Sequence, residues 1–167
     1  MASLELMIAA WEEGHREFSI ALEGLADDAV WLRPHPNLLS LGELAGHVAY
    51  YEAVMITGPG PDNQPDLDRV PIKSPLVDKA FAYYTDTLGK PVVLGLGAAE
   101  LVAEFGRVHA EAKVALLRFE RDSDDPIPGY AKATWGGNLQ YLVFHVAYHA
   151  GQAYSVRHLL GHETPDN

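Results

Sequence analysis

His145 and His149 stand four residues apart in the run His145-Val146-Ala147-Tyr148-His149-Ala150-Gly151-Gln152. On a helix, residues at that spacing share one face, with Cβ atoms about 5–6 Å apart. Both imidazoles can then reach a single metal ion, the usual geometry of paired helical ligands. Valine follows His145, so the H-E-x-x-H pattern of zinc proteases is absent. Two rings make an incomplete site, and metal sites in helical bundles draw their remaining ligands from facing helices. The alternative for the pair is two half-buried histidines hydrogen-bonded to carbonyls or carboxylates. Gln152, one turn beyond His149, is placed either to orient a ligand or to cap a neighbouring helix.

The elements that must position these residues read as helices. Leu4, Ile8, Trp11, His15, Phe18, Leu22 and Leu25 recur at spacings of three and four, which predicts a first helix from about Leu4 to Leu25. Trp31-Leu32-Arg33-Pro34-His35-Pro36-Asn37 is a connection, because proline disfavours helix for itself and its predecessor. Ser40-Leu41-Gly42-Glu43 is a capping box that opens a second helix, ending near Thr57-Gly58-Pro59. Its stripe is Leu41, Leu44, Val48, Tyr51 and Met55, and His47 lies beside that stripe. The stretch from Gly58 to Pro75 is proline-rich, acidic and without periodicity; it is expected as a lid or as a surface insertion. Ser74 to Leu88 has the spacing of a short helix. A third long helix is expected from about Ala98 to Phe119, and a fourth from near Asn138 to Leu160, with Gly161 closing it. Four long amphipathic segments and no alternating strand predict an all-α, four-helix bundle with long connections, residues 1–167 forming one domain.

Two inward histidines on other helices qualify as the third ligand. His47 ranks first because it borders the core stripe of a well-capped helix, and His15 second because it sits inside the stripe of the first. His109 falls at the edge of its stripe and is expected half-exposed; His35, His158 and His162 are expected on the surface. Glu52 is expected as a solvated side chain rather than a general base. Arg157 is open between binding an anion and pairing with an acid. Tyr50, Tyr51 and Tyr148 suit core or interface packing, with a pocket wall as the alternative.

Composition narrows the chemistry. The net charge of −11 repels phosphate backbones and anionic lipid, so neither nucleic acid nor membrane is expected as a partner. There is no cysteine, which removes disulfides and a thiol nucleophile of the chain's own. Any thiol must come from outside. No signal peptide or apolar span is visible, and the expected location is cytoplasmic.

Ser40-Leu41-Gly42-Glu43-Leu44-Ala45-Gly46-His47, preceded by Trp31-Leu32-Arg33-Pro34, resembles the second-helix signature of the DinB-like (YfiT-like) superfamily. Phe144-His145 through His149-Ala150-Gly151-Gln152, followed by Arg157-His158-Leu159-Leu160-Gly161, resembles its last-helix signature. The resemblance implies a bundle of unusual connectivity, often a homodimer, with a divalent metal held by His47, His145 and His149. Three imidazoles and an open position describe a catalytic rather than a closed site, and zinc or nickel suits them best. Gln152 and His15 would then line or support the pocket. Members include thiol-dependent transferases and proteins described as metal-dependent hydrolases. The expectation is a metal-dependent enzyme acting on a small-molecule substrate, of the thiol-dependent S-transferase type, with a low-molecular-weight thiol as cosubstrate. The alternatives are a metal-dependent hydrolase and a non-catalytic, stress-related metal or small-molecule binding protein.

Overall fold

The computed structural model describes residues 4–57, 67–83, 90–118, 122–127 and 133–164. Within them the chain is an all-α bundle of four helices: α1 (Leu4–Leu22), α2 (Leu41–Thr57), α3 (Ala98–Leu117) and α4 (Trp135–Leu159). Among the described residues the only extended pairing is an isolated bridge between Pro126 and Thr134. The helix α1 packs chiefly on α4, and α2 is wedged between α3 and α4. From Leu41 to Val54 every residue of α2 except His47 is buried. A helix enclosed in this way carries apolar residues all round rather than on one stripe. The few polar side chains it does carry, Glu43, His47 and Glu52, must therefore find partners inside the protein.

The start of α2 follows the capping-box expectation. Glu43 N–H donates to Ser40 Oγ (3.2 Å), and Ser40 N–H donates to Glu43 Oε2 (2.8 Å). Glu43 does more than cap. Arg33 donates to it from Nε (2.8 Å) and Nη2 (2.6 Å), and the backbone N–H of Val92 adds a bond of 2.9 Å. With Glu43 fully buried and the Arg33 side chain 7% exposed, this forked pair ties both flanking connections to the first turn of α2.

Several boundaries differ from the periodicity. The first helix stops at Leu22 because Gly24 turns the backbone left-handed (φ +70°), though Leu25 still packs in the core. The last helix starts three residues earlier than expected, at Trp135, with Thr134 Oγ1 accepting from Gly137 N–H (3.2 Å). Its Gly136 lies against Ser123, where a Cβ would come within 2.8 Å of the Ser123 side chain. The expected short helix over 74–88 is, up to Tyr83, only a 3-10 turn at Lys79–Phe81. Ser74 closes a separate turn at Val77, and Asp78 starts a new one through Oδ1 to Ala80 N–H (2.8 Å), so no helix propagates. Phe119, residues 58–66 of the proline-rich stretch and residues 84–89 lie outside the described residues. No helix among the described residues is long and apolar enough to cross a membrane.

Candidate metal centre

His47 on α2 and His145 and His149 on α4 come together at the α2–α4 contact. Each ring offers one nitrogen, and these atoms all lie within 4.8 Å of one another. Glycine at position 46 helps place the first of them. A Cβ there would sit 2.4 Å from the Phe81 ring, so only glycine lets the 3-10 turn close onto α2. That turn brings the Phe81 carbonyl to His47, whose Nδ1–H donates to it at 2.8 Å. On α4, Gln152 reaches back one turn and accepts from His149 Nδ1–H at 2.7 Å. The Gln152 amide is itself oriented by its donation to Tyr148 Oη (3.1 Å). Both outer nitrogens therefore carry protons, and the Nε2 lone pairs of His47 and His149 are left free to face the site.

His145 Nε2 lies 3.3 Å from His47 Nε2. Two nitrogens bound tetrahedrally to zinc at ~2.05 Å would be ~3.3 Å apart. The ring planes cross, at 45° for His47–His145, 80° for His47–His149 and 75° for His145–His149. Crossed planes let in-plane lone pairs converge on one point. Burial and then the neighbouring rings disfavour protonation here. The His145 imidazole is pushed down to about 3 by burial, then by His149 and His47. The His149 ring is pushed down to about 4 by burial and then His47, against the Gln152 bond. Burial also lowers His47. All three are neutral near pH 7, the state a metal needs. His145 Nδ1 is buried and has no hydrogen-bond partner.

His47, His149 and Gln152 form one wall of a cleft of about 700 Å³. Leu39, Leu44, Val156 and Leu159 make it apolar, and Tyr83 and Tyr148 supply hydroxyls. None of its described lining residues is an Asp, Glu, Lys or Arg. Tyr83 has a left-handed backbone (φ +43°) and donates to Glu43 Oε1 (3.4 Å). Burial and then Glu43 raise its phenol pKa, so it faces the cleft as a neutral hydroxyl.

The structure places His15 elsewhere. It lies in a second cluster with Glu52 and His109, contributed by α1, α2 and α3. Glu52 is not solvated as expected but 1% exposed, and His109 is not half-exposed, with 11% of its side chain accessible and both ring nitrogens buried. The N–H groups of Trp11 and His15 both meet Glu52 Oε1. Burial opposes the charge on Glu52, but His15 and His109 outweigh it and hold the carboxyl down at about 2. The signal missed in the sequence was the all-round apolarity of α2, which leaves Glu52 no solvated face. Among the described residues Arg157 pairs with no acidic side chain. It donates to the carbonyls of Ala21 (3.0 Å), Glu23 (2.6 Å) and Glu163 (2.6 Å), closing the exposed end of α1. Tyr50 and Tyr51 are core, while Tyr148 is exposed at the cleft mouth, and His35 and His158 are exposed.

The sequence model of the DinB superfamily matches residues 10–153, a span that reaches into all four helices and includes both clusters. No curated protein and no solved structure matches the chain.

Proposed function

The chain belongs to the DinB superfamily, and from that premise and its three converging imidazoles we propose a divalent-metal-dependent enzyme that transfers a small thiol to a small-molecule substrate. His47, His145 and His149 would hold the ion through Nε2. A divalent ion there supplies Lewis acidity, which favours the thiolate over the thiol on a bound cosubstrate. The observation that carries the reading is the pairing of free Nε2 atoms with outer N–H groups already committed to Phe81 O and Gln152 Oε1. Such outer bonds fix ring orientation and tautomer, and a site lacking them binds metal poorly.

Two features favour a thiol over water as the nucleophile. The chain has no cysteine, so a reacting thiol must be a cosubstrate. The cleft beside His47 and His149 has no carboxylate among its described lining residues, so among those residues none stands ready to activate water as a carboxylate base. The apolar walls suit an uncharged electrophile, and the Tyr148 hydroxyl, which accepts from Gln152, keeps its own proton to donate to it. Zinc and nickel are the ions we propose.

The test is metal content and turnover of untagged protein. One zinc or nickel per chain, lost in His149→Ala, with consumption of an electrophile only when a small thiol is added, is the expected result. Thiol-independent ester or amide cleavage would replace transfer by hydrolysis. Tight metal binding without either activity would leave a binding protein, and failure to take up zinc or nickel would remove the metal reading altogether.

A further inference from the structure

Tyr51 follows His47 by one turn of α2, so the two side chains share a face. The Tyr51 ring lies against two of the three imidazoles. Its centroid is 4.7 Å from that of His47, with planes crossing at 63°, and 5.0 Å from that of His145, with planes at 49°. The His47 and His145 centroids are themselves 5.0 Å apart. These two rings, from different helices, therefore close one triangle with His149 and another with Tyr51. Tyr51 is buried, and a ring wedged between two imidazoles in a close-packed interior limits how far either can turn.

The hydroxyl of the same side chain makes a second connection. It donates to the carbonyl of Ala82 at 3.3 Å. Ala82 follows Phe81, whose carbonyl accepts the Nδ1–H of His47 at 2.8 Å. Two successive carbonyls at the end of the 3-10 turn Lys79–Phe81 are thus taken by two side chains one helical turn apart. A helix that stops leaves its last carbonyls without partners of its own, and here α2 supplies them. The next residue, Tyr83, has a left-handed backbone (φ +43°), an unfavourable conformation for a bulky side chain. Backbone in that state persists only where its surroundings fix it. Three bonds do so among the described residues, from His47 to Phe81, from Tyr51 to Ala82 and from Tyr83 to Glu43.

We infer that Tyr51 is a positioning residue for the metal centre: packed between His47 and His145, it holds the Phe81 carbonyl on His47 Nδ1 through its own hydroxyl bond to Ala82. The inference rests on the metal reading above and extends it from the three imidazoles to the core side chain that fixes the tautomer of one of them. With Nδ1–H held by Phe81, His47 keeps its Nε2 lone pair free for an ion. Without the Tyr51 hydroxyl, the backbone at Ala82 loses one of its ties, and the Phe81 carbonyl is no longer held at His47. Loss of such an outer partner typically weakens metal binding about tenfold to a hundredfold. Tyr51 acts one bond further out, so the effect should lie near the lower figure.

The experiment compares wild type, Tyr51→Phe and Tyr154→Phe, each as the full chain. Zinc affinity is read by titration calorimetry, and the His47 tautomer by nitrogen-15 imidazole spectra of the metal-free proteins at neutral pH. Tyr154→Phe is the control, because it removes a hydroxyl bond to Glu17 (3.0 Å) rather than one to the 3-10 turn. In wild type and in the control, His47 should be the Nδ1–H tautomer and zinc should bind equally well. In Tyr51→Phe, His47 should become a mixture of tautomers, and zinc affinity should fall about tenfold. A tyrosine that merely fills the core would lower stability in Tyr51→Phe and leave both readouts unmoved, which overturns the inference. Weaker zinc binding with the His47 tautomer unchanged also overturns it, since the phenol would then act on the ion directly. So does an equal fall in Tyr154→Phe, because any lost hydroxyl would then suffice. A wild type that takes up neither zinc nor nickel defeats the metal reading and this inference together. A zinc-binding wild type matched by Tyr51→Phe in affinity and tautomer defeats this inference alone.

Discussion

Two histidine clusters flank α2, built from the same kinds of side chain yet suited to different tasks. At the cleft, the rings of His47, His145 and His149 cross at 45–80° and their partners occupy the outer nitrogens. In the core, His15 and His109 lie nearly parallel beside a carboxylate that takes its donors from Trp11 and His15. Crossed planes let in-plane lone pairs converge on one point, and stacked planes do not. On the metal reading proposed above, ring orientation, more than residue type or proximity, separates a place for an ion from a place for a buried charge.

The largest way to break the comparison is to remove the core carboxylate. Glu52→Ala strands the N–H groups of Trp11 and His15 and leaves a cavity between three helices. The expected loss is about 3–5 kcal/mol of unfolding free energy, the sum of two orphaned donors and the missing volume. His149→Ala, at the edge of the cleft, should cost far less in metal-free protein while abolishing metal uptake. Denaturant unfolding of both variants without metal checks this. A Glu52→Ala loss no greater than that of His149→Ala would mean that the core cluster is no keystone.

Acid should separate the clusters next. In the unfolded chain a histidine takes up its proton near pH 6.5, whereas His145 and His149 in the fold resist until about pH 3 and 4. The unfolded state therefore binds more protons between those limits. Stability contributed by these rings is full above pH ~6.5 and falls on acidification through that range. The lowered pKa values of His47 and His15 act in the same direction. Glu52, held at about 2, behaves as a depressed carboxylate: its contribution is present above the ordinary value near 4.3 and is lost as pH falls towards 2. Unfolding of metal-free protein across pH 7 to 3 should show His145→Leu flattening the profile between about pH 6.5 and 4. Glu52→Gln should flatten it mainly below about pH 4.3. Parallel profiles for wild type and His145→Leu would contradict the assignment.

The cleft cluster was far more legible in the sequence than the core cluster. His145 and His149 announce themselves by a four-residue spacing within one helix, and Ser40 and Glu43 mark the register that puts His47 inside. These are local signals. The core cluster joins positions 15, 52 and 109 from three helices, and no spacing connects them. Glu52 reads as solvated in the sequence because its environment depends on how α3 and α1 close over α2, a tertiary fact. The same holds for Arg157, whose partners Ala21 and Glu23 are more than a hundred residues away. Helix identity followed from periodicity, whereas the ends moved wherever a glycine or a threonine cap intervened, at Gly24 and Thr134.

The smallest effect sharpens the comparison on the cleft side. Gln152 accepts the His149 proton and is oriented by Tyr148, and it is only partly buried at the cleft wall. Gln152→Leu keeps roughly the same volume and removes the acceptor, freeing the His149 ring to rotate or to bind through the other nitrogen. Zinc affinity should fall by about tenfold to a hundredfold, with metal-free stability changed by less than about 1 kcal/mol because the position is half-exposed. Tyr148→Phe removes only the outermost bond and should give a smaller loss in the same direction. Calorimetric zinc titration of both variants checks the order. Equal losses in the two would place the control of His149 at Tyr148 rather than at Gln152. No loss in either would mean that the crossed-ring geometry is kept by packing alone.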